Sequence, residues 1–196
     1  HLNIGGHMFK VFILSLATIL FFFISCQQQP VDSSEPLQID KEGIVQSATG
    51  SGNFENAPGE LRVFTFAALL KEDGSVNGNF MLNNHLTDMH ISGTVIGLKI
   101  IGNEAFIGGV IANSNYINPA YPDLWQPGTC IYFSTIDYGE GSYLQDNIGL
   151  AYNGHPGTYA PFTQIDVLGF CDDPATFPWN PVPYFIVGEG NIQIKN

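Results

Sequence analysis

From Ile44 onward the hydrophobic residues come in short runs of β-forming side chains. Gly, Asn and Asp interrupt them at close intervals, and no intervening stretch carries a helical spacing. The runs are IVQSATGSGNF, LRVFTFAALL, VNGNFML, HISGTVIGLKI, EAFIGGVIA, TCIYFSTIDY, NIGLAYN, TQIDVLGF and FIVGEGNIQI. Such a series predicts an all-β fold, an antiparallel barrel or barrel-like meander of about eight or nine strands, with a β-sandwich as the alternative. Lys71-Glu72-Asp73-Gly74 and Gly102-Asn103 are the expected hairpin turns, because Asp-Gly supplies the positive backbone angles of a tight turn. In the second run Phe64, Phe66 and Ala68 alternate with Val63, Thr65 and Ala67, so both faces of that strand are expected to be covered. Gly93, Gly97, Gly108, Gly109, Gly149 and Gly188 fall inside strand-like runs. Repeated strand glycines mark bulges and corners, which favours a closed or nearly closed barrel.

The N-terminal region has a different character. Met8-Phe9-Lys10 carries one fixed positive charge, and Val11 to Ile24 is apolar except for Ser15 and Thr18. Ile24-Ser25-Cys26 follows, a small residue and then a cysteine at the end of an apolar run. The run is short for a spanning helix, which needs about 20 apolar residues. These residues resemble a bacterial lipoprotein signal and lipobox, with Phe23 where leucine is most usual. The resemblance implies a signal helix over residues 1–25, with residues 1–7 upstream of the start methionine, and a mature chain lipidated at Cys26. It also implies palmitate-type acylation and an address in the bacterial envelope. With Gln27 rather than aspartate after the cysteine, that address is the outer membrane.

Residues 26–43, rich in Gln, Ser, Pro and acids, lack apolar periodicity and are expected to form a flexible tether. Residues 44–196 then make a single all-β domain. Its pattern from Ala48 to about Ile148 (TGSGNF, RVFTFAA, DGSVNGNFML, GNEAFIGGV, IDYGEG) loosely resembles Gly-rich all-β domains of secreted bacterial proteins. The stretch between Ile111 and Thr129 is longer than in the compact versions of that pattern, and no activity is implied.

Beyond Cys26 the chain has Lys41, Arg62, Lys71, Lys99 and Lys195 against 18 Asp and Glu. Nucleic-acid binding needs clustered positive charge, which this chain lacks, and an anionic lipid surface is disfavoured for the same reason. The partners left open are the membrane reached through a lipid anchor, a glycan, or a small apolar ligand. Cys130 and Cys171 remain after lipidation and are expected to pair in an oxidising compartment, with two buried thiols as the alternative. In TQIDVLGFC, Ile165, Val167 and Cys171 share the expected core face of a strand.

No G-x-S-x-G, H-E-x-x-H or G-x-x-x-x-G-K-[ST] motif is present. Four constellations remain. Asp137, Glu140 and Asp146 surround a glycine-rich turn and could wrap calcium, although the spacing is not that of an EF-hand and a solvated acidic hairpin fits as well. Asp88 could orient His90, while His85 would face the other way on a continuous strand; His90, Ser92 and Thr94 also fit the polar outside of a sheet. The segment Asn113–Gly128 carries Tyr116, Tyr121 and Trp125, and Asp172–Tyr184 carries Phe177, Trp179 and Tyr184. Aromatics on long proline-rich loops suit stacking on a sugar or lining a pocket mouth, and equally suit plugging one end of a barrel. The first reading is therefore a binding module with Trp125 and Trp179 partly exposed and near each other. The second is a structural envelope protein with a filled interior. The third is a small hydrolase using His90 or His155 with carboxylates.

Overall fold

The computed structural model describes residues 43–179 and 183–196. The expected signal peptide, Cys26 and nearly all of the tether lie outside the described residues. Nine antiparallel strands form one sheet: β1 Ile44–Glu55, β2 Leu61–Lys71, β3 Val76–Asn84, β4 Met89–Ile101, β5 Glu104–Ser114, β6 Cys130–Ile136, β7 Asn147–Gly149, β8 Tyr184–Ile186 and β9 Glu189–Lys195. Their order is β8-β7-β6-β5-β4-β3-β2-β1-β9. The two outermost strands, β8 and β9, are joined in the chain by only Val187 and Gly188. A flat nine-stranded sheet would hold its edges far apart, since strands sit about 4.8 Å from their neighbours. So short a connection therefore requires the sheet to curl until its edges meet. The fold is barrel-like, as the strand glycines indicate, and the sandwich alternative is not adopted.

No ladder zips the two edges together. Instead the Val187 amide donates to the Asp146 carbonyl oxygen at 2.9 Å and the Gly188 amide to the Asn53 carbonyl oxygen at 2.8 Å. Phe54 and Phe185 pack across the seam with ring centroids 5.5 Å apart.

Two apolar cores result. The interior one is built on Phe54, Phe64, Phe66, Phe80, Ile107 and Phe133, with Ile91, Ile131 and Ile192 among its fully buried members. Phe80 fits because β4 and β5 present no side chain beneath it. A Cβ on Gly109 would stand 2.6 Å from the Phe80 ring, and one on Gly93 would stand 2.0 Å from the Val110 carbonyl oxygen. The β4–β5 register shifts at Ser92/Gly93 and again at Val95/Gly97, which are the bulges that strand glycines suggest. Gly188, by contrast, sits in the bend between β8 and β9. In β2 the Phe64, Phe66 and Ala68 face is buried, but Thr65 on the other face is exposed, so that strand is covered on one side rather than both.

The second core lies on the outer surface of β4–β6, and here one expectation fails. TQIDVLGFC is a helix, α1 Gln164–Asp172, not a strand. Thr163 caps it: its hydroxyl oxygen accepts the Asp166 amide, while the Asp166 carboxylate accepts the Thr163 amide at 2.8 Å. Val167, Phe170 and Cys171, spaced as on one helical face, are buried, whereas Ile165 is 83% exposed. The outer faces of Gly97 and Gly108 admit the helix, since a Cβ at either would meet Cys171 Sγ, at 2.9 and 3.3 Å. The alternating pattern was ambiguous because the segment is apolar on both sides. Local capping and a glycine-floored trough select the helix.

Tyr132, Phe162, Phe170 and Phe177 complete this outer core. Tyr132 donates its hydroxyl to the Phe170 carbonyl oxygen at 3.3 Å, and burial pushes its phenol far up. Among the described residues no helix is long and apolar enough to cross a membrane.

Candidate functional site

The strand register sorts loops to two ends of the sheet. Gly43, the Lys71–Val76 turn and the Ile101–Glu104 turn share the entry end, while the turns after β1, β3 and β5 share the opposite, distal end. At the distal end the outer faces of β3, β4 and β5 form an open concavity of about 440 Å³ lined by Met81, Asn83, His90, Ser92, Asn113 and Asn115, among others. Asn83 lies opposite His90, Met81 opposite Ser92, and Ser92 opposite Asn113. Strand parity thus turns this row of amide, hydroxyl and imidazole groups outward together.

Local bonds fix the lining. His90 Nδ1 is 2.9 Å from Asn83 Oδ1 and its Nε2 is 3.3 Å from Asp88 Oδ1. The expected Asp88–His90 contact therefore forms, although Asp88 stands in a turn with φ 52° rather than in the strand. The same turn interrupts the continuous strand imagined through His85. Asn115 ties the groove to its loop: its Oδ1 accepts the His90 amide at 2.7 Å and its Nδ2 donates to the Asp88 carbonyl oxygen at 2.9 Å. The His90 side chain remains 58% exposed.

Each of the two candidate histidines lies beside a carboxylate. Both ring nitrogens of His90 already have partners, and His155 Nε2 faces the Asp166 carboxylate at 3.4 Å. Among the described residues neither imidazole bonds a hydroxyl or thiol that could serve as nucleophile. Burial pushes the Asp166 carboxyl upward, but the Thr163 bonds and His155 outweigh it and hold it below the usual range.

The aromatic loops are largely absorbed by packing. Phe177 is buried in the outer core. Trp179 stacks on Tyr152 with centroids 5.4 Å apart and donates its indole N–H to the Gly154 carbonyl oxygen at 2.8 Å. Trp125 and Tyr116, half-buried, pack on the interior core instead. The two tryptophans are thus each partly exposed but serve different cores. Tyr184 belongs to β8, where it donates to Glu104 and shares a 2.7 Å bond with Ser134; burial pushes its phenol up. Tyr121 alone stays open, stacked on Tyr159 with centroids 4.0 Å apart.

The acidic turn closes the seam. Asp137 Oδ1 accepts the Gly139 amide at 2.6 Å and its Oδ2 the Ile194 amide at 2.8 Å. Asp146 accepts the amides of Tyr138 and Ile192, and Glu140 accepts the Gln193 side-chain amide at 3.4 Å. Among the described residues no three His, Cys, Asp or Glu side chains converge as metal ligands. These carboxylates stand in for the ladder missing at the edge of β9. Nor is the expected disulfide formed: Cys130 and Cys171 are both free and buried. The helix carries Cys171 Sγ over Gly97 and Gly108 and toward the Phe106 carbonyl oxygen at 3.8 Å.

No family model matches the chain, and no curated protein or solved structure matches it either. The site is therefore read from its own chemistry. Sequence reasoning missed Asn83, Asn113 and Asn115; the signal available was their placement beside the outward row of His90 and Ser92.

Proposed function

We propose that this domain is an exported binding module, attached to a bacterial outer membrane through a lipid on Cys26, that takes a glycan in the groove over β3–β5. One observation carries the reading: three side-chain amides from two chain segments and a fixed, exposed imidazole from a third converge on one open concavity. Planar amides suit the paired hydroxyls of a sugar, and Met81, 41% exposed at the rim, offers an apolar contact for a ring face. The space left among Phe54, Phe64, Phe66, Phe80 and Phe133 is about 20 Å³, room for one water rather than an apolar ligand. That filled interior also favours the second reading, a structural envelope protein without a ligand.

Isothermal titration of the chain against a panel of neutral and cationic glycans tests the proposal. One glycan class is expected to give saturable heat, and His90→Ala and Asn113→Ala are each expected to weaken it at least about tenfold, the loss of roughly one well-placed polar contact. No saturable heat from any class, or equal affinity in both variants, hands the lead to the structural reading.

A further inference from the structure

We infer that the entry end of the barrel, where the chain joins the domain at Gly43, is a docking face for a zwitterionic phospholipid bilayer. Hydrogen bonds gather this rim into one surface. The Glu72 amide donates to the Gly43 carbonyl oxygen at 2.7 Å, the Asp137 amide to the Asn103 carbonyl oxygen at 3.0 Å, and the Asn196 side chain to the Gly102 carbonyl oxygen at 3.1 Å.

Two kinds of side chain collect there. Tyr143 is 94% exposed beside Leu144 on the loop that leaves β6 at this end, and Ile101 is 53% exposed at the β4–β5 turn. All three lysines among the described residues, Lys71, Lys99 and Lys195, lie toward the same end, whereas Arg62 lies at the other. Tyr and Leu at loop tips enter the headgroup layer, and lysine stems lie along apolar surface while their ammonium groups reach phosphate.

The lipid chemistry follows from the acids on the rim. Glu72, Asp73 and Glu140 are exposed beside these lysines, while Asp137, Asp146 and Glu104 accept bonds from Ile194, Ile192 and Tyr184. The rim therefore carries no net positive charge and fits phosphocholine or phosphoethanolamine surfaces rather than anionic ones. What identifies a bilayer rather than a protein as the occupant is the chain outside the described residues. It carries Cys26 after an apolar run, and it enters the domain at this rim. A tether of that length holds the rim at high effective concentration near a membrane, so a few weak contacts suffice to orient the domain. The glycan groove at the distal end would then face away from the lipid.

The inference takes its tether from the proposed lipid anchor, and the experiment supplies that tether chemically. The chain from Cys26 onward is coupled through that thiol to a maleimide lipid in phosphatidylcholine vesicles; Cys130 and Cys171 are buried. Tyr143→Trp places a reporter on the rim and Leu86→Trp places one on the distal β3–β4 turn, with Trp125 and Trp179 as a shared background. With brominated acyl chains, Y143W is expected to show at least about twofold more quenching than L86W, the signature of an interfacial ring. Tyr143→Asp with Leu144→Asp, read through an environment-sensitive dye on the Ile101 turn, is expected to abolish the rim signal. Equal quenching of the two reporters, or none in either, overturns the docking face. The mass of Cys26 in protein made by a bacterium tests the anchor separately.

Discussion

The Asp146 carboxylate accepts the backbone amide of Ile192 at 2.8 Å, so a side chain in the loop between β6 and β7 completes the hydrogen bonding of β9. Its other oxygen takes the Tyr138 amide at 3.0 Å. Ile192 is 1% exposed, so within the fold its amide relies on this oxygen. Asp146→Ala is expected to destabilise the domain by about 2–3 kcal/mol, the cost of orphaning donors that bonded a charged acceptor. Asp146→Asn keeps one acceptor and is expected to cost about 1 kcal/mol. Urea denaturation of the two variants checks the order, and equal costs would show that the seam does not depend on this carboxylate.

Phe80 and the glycines beneath it form a second test. Gly109→Ala drives a methyl to within 2.6 Å of the ring and is expected to cost about 1–3 kcal/mol. Phe80→Ala removes the ring and is expected to cost about 3–5 kcal/mol. The double variant should be less damaging than the sum of the two, because the added methyl then occupies vacated space. Strict additivity in thermal melts would mean that the ring and the glycine are not in contact.

The acid limb of stability should carry the mark of Glu60. Bonds from Asn56 and Arg62, with Asn84 behind them, outweigh burial and hold its carboxyl below the usual range. The Arg62 guanidinium lies 2.5 Å away. A carboxyl whose pKa is lower folded than unfolded stabilises the fold above its unfolded pKa, about 4.3. That contribution is lost as pH falls through the lower folded value. Glu60→Gln is therefore expected to reduce stability at pH 7 and to flatten its decline below about pH 4.3. An unchanged acid limb in E60Q would assign the decline to other carboxylates.

The buried thiols give a fourth expectation. Burial pushes the Cys171 thiol up to about 12 and raises that of Cys130 as well. Since the thiolate is the reactive form, both should resist alkylation in the native chain at neutral pH and react together on unfolding. Thr163→Ala removes the cap of α1, is expected to cost about 1 kcal/mol, and should speed modification of Cys171 in proportion. Labelling followed by mass measurement distinguishes this from an oxidised pair, which would take no label even when unfolded.

The β-rich architecture was legible because the period-two runs and Asp-Gly turns are local signals, and the ladders from β1 to β6 follow them closely. The strand glycines indicated curvature correctly, although two of them, Gly97 and Gly108, also serve as the trough for α1. That helix was not legible by alternation alone, because Ile165 is as apolar as Val167 yet points to water; only the Thr163–Asp166 pair betrays it. The final run has the pattern of one strand, but Val187 and Gly188 split it between two partners. For the candidate site, Asp88 and His90 were found from spacing. The importance of Asn113 and Asn115 depends on bringing β5 beside β4, information that no short window of sequence contains. Trp179 looked like a ligand platform because its partner, the Gly154 carbonyl, is a backbone group invisible to side-chain pattern.

The place of β9 in the sheet has a temporal consequence. β1, Ile44–Glu55, leaves the ribosome before every other strand of the sheet, yet its outer edge waits for Glu189–Lys195, which is made after the other eight. Until then β1 exposes a row of unpaired amides and carbonyls, the template on which strands of different molecules join. Closing so long a loop is entropically slow and cannot begin before β9 has been made. A truncation that removes only β9 would therefore yield molecules prone to pair with one another through β1.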